Sequence, residues 1–382
     1  MTCTLLSLCA FLHFWVWDLT VMPPGFRHPE FALHSSDKLT TDQLHLWVEK
    51  DLGAYAPSPS TLDYLRLRLT IAVETEREIF GQQPVSPSGD RDIHVLIAAL
   101  PPYEKNGKKF GFDGFFNVFD QMTETQAQTH GQHSNERNIV YLNALHDLND
   151  LYMHGVAVHE LNHLLTHGQY DEEKNPLDPW LNEMLGEAAM QLTGYYTDLN
   201  HVERYRAHPE WPIAVNGYGL SYGAVSLFAE YLALRFGKTP LGKIAPAVGN
   251  GFERLEAVYG VSWNELFADY AQWLFEQDPP SQFNGELVAT HELSPTLLIG
   301  PTAITFIAGE VREAEKEFEI TAVPPACGSS RNVIRSSFVS HAKNKQHTAT
   351  ALWIESTPPC AAERGQGDEK NSFRLTRKNA QR

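Results

Sequence analysis

His159, Glu160 and His163 stand in the run GVAVHELNHLLTHG, and their spacing suits a metal ion. Two histidines four residues apart on a helix project from one face, so their ring nitrogens can meet a single Zn²⁺. Glu160, beside the first histidine, then reaches a water at that metal. Twenty residues after His163, the stretch WLNEMLGEAA offers Glu183 as a third ligand. Glu187 follows one turn later on the same helical face, where it can accept a hydrogen bond from a ligand histidine and fix its tautomer. Three protein ligands leave a fourth position open, the arrangement of a catalytic zinc rather than a structural one. Zinc lowers the pKa of water from about 15.7 to about 7, and Glu160 would take the proton and pass it to a leaving amine. The expected cofactor is one catalytic Zn²⁺. The plain alternative is two satisfied histidines on a partly buried helix.

The surrounding elements are those such a site needs. Val156, Val158, Leu161, Leu164 and Leu165 predict a helix over about 152–167, ended by Gly168. Asp178 as N-cap and Pro179 at the first position open a second helix, carrying Glu183 to about Tyr195. Upstream, Leu62, Leu65, Leu69, Ala72, Val73 and Ile79 predict a helix over about 60–80. TTDQLHLWVEKDLG also reads as a helix, with Thr40 or Thr41 as cap and Gly53 as its end. IHVLIAAL, GFDGFFNVFDQ and NIVYLNAL predict three strands of a small sheet ahead of the metal helix. Phe115, Phe116 and Phe119 read mostly as core aromatics. Downstream, SYGAVSLFAEYLALRFG predicts a helix closing at Gly237, and Ser262 with Glu265 forms a capping box for another. His154 reads as structural and His167 as a partner of the helix C-terminus, because their offsets place them off the metal.

HELNH, the gap and NEMLGE together resemble the gluzincin metallopeptidases, the thermolysin-like superfamily. Within it the chain is most similar to the hyicolysin-like neutral zinc peptidases, on WLNEMLGE, SNERNIVYLNA and SYGAVSLFAEYL. The likeness covers about residues 90–280. It implies a zinc-dependent endopeptidase acting on peptide or protein substrates, with a sheet over the active-site helix whose edge strand pairs with the substrate backbone. It also implies an oxyanion donor from a Tyr on a later helix, here Tyr222, with Tyr218 in reserve. The thermolysin branch usually has Asp where this chain has Glu187. An aminopeptidase is the nearest alternative, but GFDGFFN does not reproduce the Gly-x-Met-Glu-Asn-type strand of those enzymes. A zinc-bearing scaffold without activity is the alternative of a different class, and the intact Glu160 argues against it.

Composition sets the outer bounds. A formal charge of −17 and a pI of about 5.4 argue against nucleic-acid binding. The apolar run TCTLLSLCAFLHFWVW is short for a spanning helix and has no basic residue before it. It reads as a degenerate, truncated export signal, with a misassigned start or a buried arm as the alternatives; the signal reading places the protein outside the cell or in its envelope, with the cytoplasm as the alternative. No other segment is apolar enough for stable membrane insertion. Cys327 and Cys360 could close a loop in an oxidising compartment or remain free thiols. The expected class is α+β. A leader and connector (1–30, with 18–38 irregular) precede a helix-and-sheet region (31–150), a mainly helical zinc-binding region (151–279), a small β-rich region (280–358) and a polar, disordered tail (359–382).

Overall fold

The computed structural model describes residues 11–18, 25–105, 108–195, 199–207, 213–214 and 221–277, together with six strands between 296 and 377. The fold is α+β. The chain divides into two compact units, Met1–Asp171 with Ala189–Tyr196, and Glu172–Ala188 with Thr197–Arg382.

The first unit is built on a six-stranded mixed sheet. In chain order its elements are β1 (Phe11–His13), β2 (Val16–Asp18), β3 (Gly25–Arg27), β4 (Glu30–Lys38), β5 (Gln43–Glu49), α1 (Pro59–Phe80), β6 (Ile93–Ala98), β7 (Tyr103–Lys105), β8 (Lys108–Phe110), β9 (Gly114–Phe116), α2 (Glu124–Thr129), β10 (Asn138–Asn143) and α3 (Leu151–His167). The sheet order is β1-β4-β5-β6-β10-β9. β5, β6 and β10 run parallel, while β9 closes one edge antiparallel to β10. β6 and β10 are buried along their whole length, which is why they read as mainly apolar runs, with His94, Asn138 and Asn143 as their polar members. One face of the sheet packs Trp47, Leu96, Ala98, Ile139 and Tyr141 with Phe14, Val16 and Phe31. α3 packs against β9, β10 and α1.

Two expectations for this unit need correction, and for residues 11–18 the structure agrees with the buried-arm reading. TTDQLHLWVEKDLG is not a helix: Gln43–Glu49 is a strand, paired antiparallel with β4 and parallel with β6. Leu44, Leu46 and Val48 alternate at period two, and pairing on both sides outweighs the capping residues that suggest a helix. The irregular connector is also largely strand, as β3 and β4. Residues 11–18 form two strands, with Phe14 and Val16 in the core, so this part of the apolar run is an arm of the sheet region. Residues 1–10 lie outside the described residues.

The second unit is helical and then β. α4 (Pro179–Leu192), which continues into the first unit's segment, is followed by α5 (Leu199–Ala207), α6 (Tyr222–Phe236), α7 (Gly251–Tyr259) and α8 (Trp263–Gln277). The helix starts follow local chemistry. Ser221 caps α6, Asn250 and Glu253 make a capping box at α7, and Ser262 with Glu265 does so at α8. Trp180 of α4 packs with Phe228 and Trp263. Beyond α8 lie β11 (Thr296–Ile299), β12 (Thr305–Ala308), β13 (Phe318–Val323), β14 (Val333–Ser340), β15 (His347–Ile354) and β16 (Ser372–Arg377). They form two three-stranded sheets, β11-β16-β13 and β12-β15-β14. β16 falls in the stretch expected to be disordered. Its SFRLTR alternates apolar and polar residues, a strand pattern that the charge of the tail obscures. Cys327 and Cys360 lie outside the described residues. Among the described residues, no helix is long and apolar enough to cross a membrane.

Candidate metal centre

α3 is the element on which the site depends. Asp150 caps it by accepting from the Tyr152 N–H, and the helix then runs to Gly168. From Met153 to Thr166 every residue is buried except Glu160, which is half-buried. A helix apolar nearly all round belongs inside a domain. Its polar residues are therefore the ones that need an explanation.

His159 and His163 are 7% and 8% exposed. A ring nitrogen from each and a carboxylate oxygen of half-buried Glu183 lie within 4.8 Å of one another. Zinc bonds of about 2.0–2.2 Å in tetrahedral geometry would set such atoms about 3.4 Å apart. The donor atoms would therefore draw closer together on binding a small divalent cation. Two imidazoles and a carboxylate are also the right chemistry for zinc, and this group could hold a metal ion. Glu183 reaches this position from the first turns of α4. The Asp178 carbonyl accepts the opening hydrogen bonds of that helix, while its carboxylate accepts from the Gly251 N–H at 2.7 Å. Glu187, one turn after Glu183, is 3% exposed.

Glu160 does not turn into the core. Its Oε2 accepts the Phe116 backbone N–H at 2.9 Å, which ties the expected general base to edge strand β9. β9 comes this close because Gly114 has no side chain. A Cβ there would lie 2.8 Å from the Tyr141 carbonyl oxygen and 2.8 Å from Val156 Cγ1. Phe115 stacks on Tyr141, with ring centroids 4.3 Å apart, while Phe116 lies against His167.

The other sequence candidates fall as follows. Tyr222 opens α6, is 40% exposed and stacks on His201. Tyr218 lies outside the described residues. His154 is buried and donates Nε2–H to the Leu148 carbonyl at 2.8 Å; desolvation holds its pKa below the usual histidine value. Asp147 and Asp150 of HDLND cap local turns.

Two residues with a claim on the site stand outside the metal-binding motif's functional positions. Glu76 of α1 is wholly buried beside Asn162, the fourth residue of the pentad. Burial pushes the Glu76 carboxyl well above the usual carboxylate range, opposed by Asn162 and by the charge of His159. The signal available in the sequence was a glutamate in the apolar stripe of α1.

A scan against protein-family models and a search of curated proteins return no match for the chain.

Proposed function

We propose that this chain is a zinc-dependent endopeptidase. The observation that supports it most is the convergence of His159, His163 and Glu183 within 4.8 Å, with Glu160 adjacent to the first of them. His159 and His163 would hold the cation as neutral imidazoles and Glu183 as a carboxylate. The chemistry a bound zinc supplies is Lewis acidity, which brings the pKa of water to about 7 and polarises a carbonyl oxygen. Glu160, half-buried and oriented by the Phe116 amide, takes a proton from the attacking water and returns it to the departing amine nitrogen. Edge strand β9 is the proposed platform for an extended peptide, which would take the Phe116 amide from Glu160 as it pairs, so that recognition is of main chain more than of sequence. Tyr222, on the first turn of α6, is the proposed donor to the oxyanion.

The test is zinc content by mass spectrometry, followed by casein hydrolysis with and without chelator, beside Glu160→Gln. Stoichiometric zinc, chelator-sensitive cleavage and a Glu160→Gln protein that keeps its metal but not its activity are the expected results. Zinc without hydrolysis in either protein would make the chain a metal-bearing scaffold, and no zinc would remove the metal centre.

A further inference from the structure

Ser36 of β4 and His45 of β5 face one another across the antiparallel pair, in regular register past the bulge between Leu33 and Ser35. Ser36 Oγ lies 2.7 Å from His45 Nδ1. The other ring nitrogen, Nε2, lies 3.2 Å from Oδ2 of Asp92, which immediately precedes β6. An ionised carboxylate only accepts, so Nε2 carries the ring proton and Nδ1 is left to accept from the serine hydroxyl. Asp92 is itself held, because its Oδ1 accepts the Gln43 backbone N–H at 2.9 Å. The His45 ring is stacked on buried His94 with centroids 4.7 Å apart, and His94 accepts the Trp47 indole N–H at 3.0 Å. Each member of the serine, histidine and aspartate set is thus oriented by the next. A cross-strand serine and histidine alone would be ordinary sheet surface. The third group sets this pair apart: it occupies the far ring nitrogen and leaves the near one as a base. Ser36 is exposed while His45 and Asp92 are half-buried, so the hydroxyl is open to a ligand and its base is shielded behind it. Lys38, two residues further along β4, is exposed on the same face, opposite Gln43.

We propose that Ser36 is a nucleophile, activated by His45 and with Asp92 as the positioning residue, that acts on carboxylic esters small enough to reach an exposed strand. Ser36 Oγ attacks the ester carbonyl carbon while its proton passes to His45 Nδ1, and the Lys38 ammonium meets the oxyanion. The bond from the acyl carbon to the alcohol oxygen breaks, and His45 gives the proton to the departing alkoxide. Water then attacks the acyl-serine with His45 Nδ1 taking its proton; the ester bond to Oγ breaks, Oγ recovers the proton and a carboxylic acid leaves. None of these residues is a proposed metal ligand, so the inference stands or falls apart from zinc.

The experiment uses the full chain with a chelator present, which removes metal-dependent hydrolysis from the readout. A fluorophosphonate is the covalent probe, located by peptide mass mapping, and p-nitrophenyl acetate is the ester. The expected results are an adduct on Ser36 and ester turnover above that of the unfolded chain, both lost in Ser36→Ala. That position is exposed, so the variant should melt with the parent. His45→Gln should slow adduct formation by about 10²–10⁴-fold. Asp92→Asn keeps an acceptor for the Gln43 amide and should lower kcat by up to about 10⁴-fold with KM little changed. No adduct on Ser36, or ester turnover by Ser36→Ala at the parent's rate, overturns the proposal. An adduct that forms as fast in His45→Gln as in the parent overturns it too, since the hydroxyl would then be reacting without its base.

Discussion

Two wholly buried carboxyls in the first unit meet the same physical problem in different ways. Asp120 Oδ1 accepts the Asn135 backbone N–H at 2.7 Å, and Oδ2 accepts the Tyr141 hydroxyl at 2.7 Å. Asn135 in turn accepts the Trp15 N–H at 2.7 Å and donates to the Trp15 carbonyl at 3.0 Å and to the Tyr141 hydroxyl at 2.8 Å. That network is closed and fastens the N-terminal arm to β10. Glu76 has no comparable set of partners: burial dominates there and pushes its carboxyl well above the usual carboxylate range. A satisfied buried network specifies a fold, while an open one weakens it. The closed network lies under the N-terminal arm, while the second carboxyl is buried in the apolar face of α1 without such a network.

Substitutions can break that contrast or sharpen it. The largest expected effect is at the base: Glu160→Gln should lower casein hydrolysis by about 10²–10⁴-fold with zinc retained. Next is pH. Burial raises the Asp120 pKa from 3.8 to about 7. The folded form then holds a proton that the unfolded chain has already lost. The resulting stability is complete below about pH 4 and is lost as pH rises through about 7. Asp120→Asn should flatten the stability profile across that window, a difference of up to about 4 kcal/mol by denaturant titration at the two ends. Tyr141→Phe leaves Asp120 Oδ2 without its donor and should cost about 1–3 kcal/mol of stability, with zinc affinity unchanged. The smallest effect is expected from Gly155→Ala. The added methyl meets the Met190 Cε at 2.6 Å, the far end of a flexible side chain, and the melting temperature should fall by only a few degrees.

Much of this was legible in the sequence where the determinants are local. Ser262 and Glu265 marked the start of α8, and the stripe from Leu62 onward marked α1. HELNH and Glu183 named three side chains that the fold brings together. What escaped was decided by partners distant in the chain. β5 carries capping residues that suit a helix, and only its pairing with β4 and β6 makes it a strand. The Phe116 amide could not be read at all, since every residue but proline has one. Glu76 was visible as a polar residue in an apolar row, but a row tolerates such breaks at its edges. Only burial shows that this one is central.

The bond between the Phe116 amide and Glu160 also gives the molecule a built-in reporter. An amide proton held by a carboxylate resonates and exchanges with solvent differently from one released to water. The ¹⁵N-labelled protein would therefore announce each reorientation of Glu160 through a single backbone signal, before any substrate is turned over.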